Sequence, residues 1–299
     1  KILARKYAFK LVLDALALLK TLATLVDVEV PAQGSITVCG DVHGQYYDLL
    51  NIWETNGLPS DRNPYVFNGD FVDRGSFSLE VILILFAWKL LYPHHLHLAR
   101  GNHETSKMNK LYGFEGEVTQ KYDGALYQLF CEAFCWLPLC HVINSKVFVV
   151  HGGLFSQDGV TLDSIRRVDR VCEPPDAGLM TEMLWSDPQP GRGRVPSKRG
   201  VGVAFGKDVT ENFLKTNNLN LVIRSHEMKE EGYEVEHGGQ LITIFSAPNY
   251  CDQMGNKGAF IRLDGKTLKP KFTSFAAVPH PPVRAMQYAN PMLGSLFGM

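Results

Sequence analysis

Residues 65–75 read YVFNGDFVDRG: an apolar run the length of a buried strand, then Asn-Gly-Asp, then a second Asp, an Arg and a closing Gly. Five other stretches share this form, namely ITVCGDVHG (36–44), LHLARGNHE (96–104), VFVVHGG (147–153), LVIRSHE (221–227) and ITIFSAPNY (242–250). Each apolar run stops at a loop carrying potential metal ligands or phosphate-binding groups. Strand ends are where a rigid scaffold presents reactive side chains. One such ending means little; six in order make a site.

Working outward, strands alternate with helices. ITVCGD leads to a helix near 45–56, and YVFNGD to the helical run SLEVILILFAWKLLY (78–92). HLHLAR precedes a mostly helical stretch over 109–137, ended by Pro138. This alternation predicts an α/β core. From 221 onward LVIRS, GYEVEHG, LITIFS, AFIRL and KFTSFA read as short strands of an antiparallel-rich sheet. Within 1–30, Leu11, Ala15, Leu18, Leu22 and Leu25 recur at helical spacing, which predicts an amphipathic helix docked on the core. Asp14 and Lys20 interrupt that stretch, so it is not expected to span a bilayer. The Pro- and Gly-rich 173–200 is expected to be a long surface loop, and 278–299 an extended surface tail. No separate core-sized block follows the loop, so residues 1–299 are expected to form one catalytic domain.

Bulk properties narrow the class. With 20% charged residues and a formal net charge of −1, the chain offers no basic stripe for nucleic acid or a membrane surface. No pair among the six cysteines has CxxC spacing, so neither a zinc knuckle nor a redox dithiol is indicated, and a reducing compartment is expected. The chain opens on Lys1 with no visible signal peptide, and is expected to be a piece of something longer. Nothing demands a dimer; monomer is the default.

The loop residues suit a two-metal site. Asp41 and His43 stand two apart at a strand end, on one side, offering an oxygen and an imidazole to a first-row divalent metal. Asp70 is the natural bridging carboxylate, since two metals about 3.5–4 Å apart need an anion between them. Asn102, His151 and His226 supply a neutral oxygen and two imidazoles for the second metal. The remaining histidines, 94, 95, 97, 141, 237 and 280, read as satisfied core or loop residues. Gly40, Gly44, Gly69, Gly75, Gly101, Gly152 and Gly153 flank the ligands and allow close backbone approach.

GDxHG, GDxVDRG, GNHE and HGG, in this order, resemble the phosphoprotein phosphatase family of the metallophosphoesterase superfamily. The likeness covers nearly the whole chain. FNGDFVDRGSFS, the SKRG at 197–200, RSHE at 224–227 and SAPNYCDQMGNK at 246–257 are most similar to the type 5 branch, with Phe71 and Met254 as distinguishing positions. The resemblance implies a calcineurin-like metallophosphoesterase fold, α/β, with a central β-sandwich of mixed sheets flanked by helices. It implies that Asp41, His43 and Asp70 hold one divalent ion and Asp70, Asn102, His151 and His226 the other, with manganese expected on isolation and iron, zinc or magnesium as alternatives. Arg74, Arg199, Asn102 and Tyr250 would face the substrate phosphate, and His103, partnered by Asp73, would be the general acid.

The implied activity is hydrolysis of phosphoserine and phosphothreonine in proteins. A phosphomonoester dianion repels nucleophiles, so two cations with Arg74 and Arg199 must neutralise it. Metal binding lowers the pKa of a shared water from ~16 toward ~7, and the resulting bridging hydroxide attacks phosphorus directly. Asp73 is expected to keep His103 cationic so that it can protonate the leaving alkoxide. Further expectations are phosphoprotein substrates, a cytoplasmic or nuclear setting, and an upstream tetratricopeptide domain, outside this chain, that binds the chaperone Hsp90. Cys251 matches a family position reactive toward some natural toxins, or is a plain buried thiol. The alternatives are a hydrolase of small phosphoesters or dinucleoside polyphosphates, and a non-enzymatic scaffold keeping the fold.

Overall fold

The computed structural model describes residues 2–289. In chain order, α1 (Arg5–Leu19), β1 (Leu25–Val28) and β2 (Ser35–Cys39) lead into α2 (Tyr46–Asn56), β3 (Tyr65–Phe67), α3 (Ser78–Leu91) and β4 (Leu96–Leu98). Next come α4 (Ser106–Tyr112), α5 (Phe114–Lys121), α6 (Gly124–Cys135), β5 (Cys140–Ile143) and β6 (Val147–Val150). The middle of the chain holds α7 (Leu162–Arg166), α8 (Leu179–Trp185), β7 (Asp187–Pro188), β8 (Arg194–Pro196) and β9 (Val203–Phe205). Then α9 (Lys207–Asn217) precedes β10 (Leu221–Arg224), β11 (Tyr233–Glu236), β12 (Leu241–Ile244), β13 (Gly258–Asp264) and β14 (Pro270–Phe275).

Two mixed sheets, ordered β1-β5-β6-β10-β12-β11 and β14-β13-β2-β3-β4, pack face to face. Their apolar runs do not alternate with polar residues because both faces are covered. Val147 and Val149 of β6 join Val38, Val66, Ile223, Ile244 and Ile261 in an aliphatic layer between the sheets. Phe148 and Val150 of the same strand point the other way, into a second cluster with Met183 and Phe213 of α8 and α9. Outside the other sheet, Phe67 and Leu98 pack under α1, α3, α5 and α6 with Val12, Leu85, Val118 and Phe130. The expected sandwich of mixed sheets flanked by helices is therefore observed.

Local expectations fare less evenly. The docking helix occupies only 5–19 of the anticipated 1–30, and buries Ala8, Val12, Ala15, Leu16 and Leu19. Leu11 and Leu18 lie half-buried at the edge of that face, and Leu25 begins β1. The short strand LVDV stayed hidden because Leu25 falls in phase with the preceding helical period. The stretch 109–137 is three helices, interrupted at Gly113 (φ 121°) and again at Asp123, whose carboxylate accepts from Leu126 N and caps α6. Region 173–200 is not a bare loop: it contains α8, whose Met180, Met183 and Leu184 are buried, and the outer strands of a small three-stranded sheet, β7-β9-β8. The second half is antiparallel-rich as expected, with β13 antiparallel to both β14 and β2, but not wholly so. Strand β12 pairs in parallel with β10 and antiparallel with β11, because the β11–β12 hairpin folds back beside β10 with β11 outermost.

No helix or strand occurs over 276–289, where the chain runs along the surface as expected. Val278 N donates to Asp48 Oδ1 at 2.9 Å, and Met286 N donates to the Arg74 carbonyl. The rest of the anticipated tail, 290–299, lies outside the described residues. No helix among the described residues is long and apolar enough to cross a membrane.

Candidate active site

Strands β2, β3 and β4 run parallel in one sheet, and β6, β10 and β12 run parallel in the other. Their C-terminal loops converge where Ser246 N donates to the Asp41 carbonyl at 3.0 Å and Ser246 Oγ accepts from Gly40 N at 2.8 Å, tying one sheet to the other. A cavity of about 380 Å³ opens there, lined by Asp41, His43, Asp70, Asn102 and His226, with Arg74, His103, Arg199 and Tyr250 around them.

The buried donors turn toward shared points. His43 Nδ1 lies 3.0 Å from the Val72 carbonyl, which takes up the ring proton and leaves Nε2 as a lone pair. That Nε2 faces Asp41 Oδ2 at 3.6 Å and Asp70 Oδ2 at 3.5 Å. His151 repeats the pattern: Nδ1 is 2.8 Å from the Asn68 carbonyl, and Nε2 is 3.2 Å from Asp70 Oδ2. The end of the Asn102 amide lies 2.9 Å from His151 Nε2, 3.0 Å from His226 Nδ1 and 3.1 Å from an Asp70 oxygen. His226 Nε2 is buried without a partner. Lone pairs aimed at carboxylates repel unless a proton or a cation lies between them. Such a donor set, imidazole with carboxylate and amide oxygen, fits first-row divalent cations. Ligating atoms of His43, Asp70 and His103 lie within 4.8 Å of one another, as do those of Asp70, His151 and His226, so Asp70 is common to both groups.

The electrostatics agree. Burial opposes a charged His151, yet Asp70 overrides it and lifts this imidazole to about 9. At His43 burial is likewise outweighed, by Asp41 and Asp70, and the ring is raised. Asp70 is held well below the usual carboxylate range, burial being overcome by His151, His103 and His43. Protons occupy positions that cations would take, and metal binding expels such protons.

His103 adjoins this cluster. Its Nδ1 is 2.8 Å from Asp73 Oδ2, and its ring meets His43 edge to face at 4.7 Å. Asp73 also accepts from Asn109 Nδ2 at 3.0 Å and Phe114 N at 2.9 Å. The pairing with Asp73 is as expected, but its effect is not: burial outweighs Asp70 and Asp73 and leaves His103 below its ordinary value, so the resting imidazole is neutral near pH 7. Arg74 lies 3.8 Å over the Tyr112 ring, with Met286 Sδ at 3.7 Å from Nη1. Arg199 forks onto Asp187 at 2.6 and 3.3 Å and also donates to the His226 carbonyl.

Residues 34–230, well over half the chain, match the calcineurin-like phosphoesterase family. The chain belongs to that family. Membership implies a dinuclear divalent metal site, for which the Asp70-centred groups are the candidate ligands. The chain is 66% identical over 293 residues to serine/threonine-protein phosphatase 5 of Solanum lycopersicum, covering 98% of this chain and 53% of that protein. Against serine/threonine-protein phosphatase 5 of Homo sapiens it is 61% identical, covering 98% and 59%. The chain thus spans a little over half the length of these curated relatives. A solved protein serine/threonine phosphatase from Saccharomyces cerevisiae, described as similar to human phosphatase PP5, superposes with a TM-score of 0.94 at 41% identity, covering 96% of this chain and 95% of that one.

Several residues that shape the phosphoesterase cleft were not singled out from sequence. Glu104, fully buried, accepts from the backbone N of Asp70, Phe71 and Gly101, each at 2.8 Å, and so clamps two ligand loops together. Burial and the charge of Asp70 push it up to about 7. It stood in plain view in GNHE, but only the three N–H bonds reveal its work. Arg224, also buried, donates to Asp187 at 2.8 Å and to the Gly152 carbonyl, and so fixes the carboxylate on which Arg199 rests. Asp187 stays below its ordinary value because Arg224 and Arg199 outweigh its burial. Gly69 (φ 89°) is required sterically, since a Cβ there would come 2.6 Å from Gly101 N and 2.7 Å from His151 Nδ1. Cys251 is half-buried beside Tyr250, and burial pushes its thiol up, which disfavours the thiolate.

Proposed function

We propose that this chain hydrolyses phosphoserine and phosphothreonine in proteins. The observation that carries the reading is the convergence of three histidines, one further aspartate and an asparagine around Asp70, flanked by two arginines beside one open cleft. The identities of 61–66% to serine/threonine phosphatases support it.

Asp41, His43 and Asp70 would hold one divalent ion, and Asp70, Asn102, His151 and His226 the other, with manganese the expected metal on isolation. Bound there, the cations would draw charge from the phosphoryl oxygens and acidify a water. The protein groups supply the rest. Arg74, stacked on Tyr112, and Arg199, released in part from Asp187, present planar forks to phosphate oxygens. Asn102 and Tyr250 complete the wall facing the phosphate. His103 keeps Nδ1–H on Asp73 and presents Nε2 to the leaving oxygen. Burial makes this imidazole neutral at rest; the arriving phosphate dianion raises its proton affinity, and Nε2 takes up a proton from solvent before the ester bond breaks. The proton then passes from Nε2 to the serine or threonine alkoxide, which leaves poorly without it. By the same resemblance, the longer protein would carry an upstream tetratricopeptide domain that docks the chaperone Hsp90.

Phosphate release from a phosphothreonyl peptide by chelator-stripped protein, with and without Mn²⁺, tests the reading. Turnover that returns with Mn²⁺ is the expected result. Restored activity confined to small phosphoesters or dinucleotides would replace it with the alternative hydrolase, and metal binding without any turnover would leave a scaffold.

A further inference from the structure

A second histidine cluster lies at the open edge of the sandwich, where β1 and β4 are the outermost strands of their sheets. Leu96 and Leu98 of β4 point to the helical layer, so His97 between them turns inward. Cys140 and Val142 of β5 face the opposite helices, so His141 turns inward too. In register, His97 sits beside Val66 and His141 beside Val149, both members of the aliphatic layer between the sheets. Two imidazoles therefore occupy positions where that layer is otherwise aliphatic. Their rings meet edge to face at 5.4 Å.

Neither ring is satisfied. His97 is 6% exposed and His141 1%, and His97 Nε2 and His141 Nδ1 are buried with no hydrogen-bond partner. An unmet buried polar atom is destabilising, so a pair of them in a stable core asks for a reason. Both line a cleft of about 700 Å³, as does Lys89 from the last turn of α3. Lys89 is 2% exposed, and its ammonium donates to the Pro93 carbonyl at 2.6 Å. Among the described residues no carboxylate comes within ion-pair distance of it. Of the acids at the mouth, Asp27 is taken up by Arg166 at 3.0 Å, while Glu29 and Asp61 are exposed to solvent. The cleft shares no lining residue with the catalytic cavity.

These groups select the sign of a ligand. Burial lowers Lys89 to about 8 and His141 to about 3, so near pH 7 the floor of the cleft holds one ammonium and neutral imidazoles, with the exposed Arg62 as a second cation on its lining. A metal ion would have to settle beside that ammonium, and among the described residues no third ligating side chain joins the two rings. An anion meets a charge that nothing else compensates. A phosphate group carries several charged oxygens around one centre, so it can meet the ammonium and an imidazole N–H at the same time, more than a two-oxygen carboxylate offers.

We propose that this edge cleft binds a phosphate-type oxyanion, either free phosphate or the phosphate end of a small phosphomonoester, ion-paired to Lys89 and hydrogen-bonded by His97 and His141. Val26 and Val28 form the wall available to an organic body.

Equilibrium dialysis of the metal-loaded chain against radiolabelled phosphate at pH 7 tests this. Wild type is expected to take up two equivalents, Arg74→Ala to keep the edge equivalent, and Lys89→Met to lose it, with affinity there falling at least about tenfold. Because the edge equivalent is counted by its dependence on Lys89, failure of the phosphatase reading would not mask it. Nitrogen resonances of the His97 and His141 rings, followed in the unsubstituted chain, should move as phosphate is added. Benzylphosphonate binding about tenfold tighter than phosphate at this cleft assigns it to phosphomonoesters; equal or weaker binding assigns it to free phosphate. A single equivalent abolished by Arg74→Ala, a second equivalent indifferent to Lys89→Met, or ring signals that stay still would each overturn the proposal.

Discussion

Two buried histidine clusters sit in this sandwich, and they differ in what surrounds them. At the strand ends, His43 and His151 each give one ring proton to a backbone carbonyl and aim the other nitrogen at Asp70. At the open edge, His97 and His141 face each other and a lysine, with no acid among them. The consequence shows in their titration: Asp70 lifts His151 to about 9, while burial, with Lys89 adding to it, drops His141 to about 3. Residue type and depth are the same in both places. A single shared carboxylate decides whether the pocket calls for a cation or an anion.

The contrast breaks most visibly at that carboxylate. Asp70→Asn should strip the strand-end cluster of the anion common to both ligand groups, release both metals and lower peptide turnover by at least about a thousandfold, since the charge stabilisation lost is several kcal/mol. Metal stoichiometry measured beside turnover checks it, and two tightly held metals in the variant would refute the bridging role. A smaller and more selective effect is expected one step out. His103→Ala should keep both metals and slow alkyl phosphates by roughly 10²–10⁴-fold, the usual range for a lost general acid, while aryl phosphates suffer less because their leaving groups need no proton. Equal losses on the two substrate types would remove His103 from that role.

The smallest effect belongs to the edge cluster. Lys89 binds its proton less tightly folded (about 8) than unfolded (10.5), so the unfolded chain holds more protons in that window and folding stability gains as pH rises from 8 to 10.5. Lys89→Met should erase this gain, so the stability difference between variant and wild type should shrink by up to about 3 kcal/mol across that range. Chemical denaturation in phosphate-free buffer at both pH values reads it directly. A difference that does not change with pH would mean Lys89 is not held out of water as the structure places it.

How much could be read from the chain follows from the same contrast. The strand-end site was legible because its residues repeat a local grammar: an apolar run, then a loop carrying a candidate ligand or phosphate-binding group, six times over. Asp41, His43, Asp70, Asn102, His151 and His226 were all identified that way, and all converge on one cavity except that His151 lies just behind its wall. What sequence could not supply is pairing across long separations. Asp187 and Arg224 are 37 residues apart, and Glu104 reaches back 34 to Asp70. Backbone conformation was equally hidden: His43, Asp70, Asp73, Arg74 and His226 all adopt positive φ, which only the folded surroundings can enforce on non-glycine residues. The edge cluster was misjudged for a related reason. His97 and His141 looked like ordinary core histidines, because their partners, or lack of them, depend on which strands end up outermost. Helix phase and short strands failed where the periods coincide, as at Leu25.

One feature of the cleft bears on how a turnover would end. Arg199 rests on Asp187, and Asp187 is itself anchored by a buried arginine. An incoming phosphate therefore meets a guanidinium that already has a resident anion, and once the ester is cleaved that resident is waiting to take its place back. If the chain hydrolyses phosphoesters as proposed, the carboxylate would work as a return spring, since the cost of displacing it from the guanidinium weakens the hold on inorganic phosphate. An arginine left bare in the same position would bind product as eagerly as substrate, and the cycle would slow at its last step.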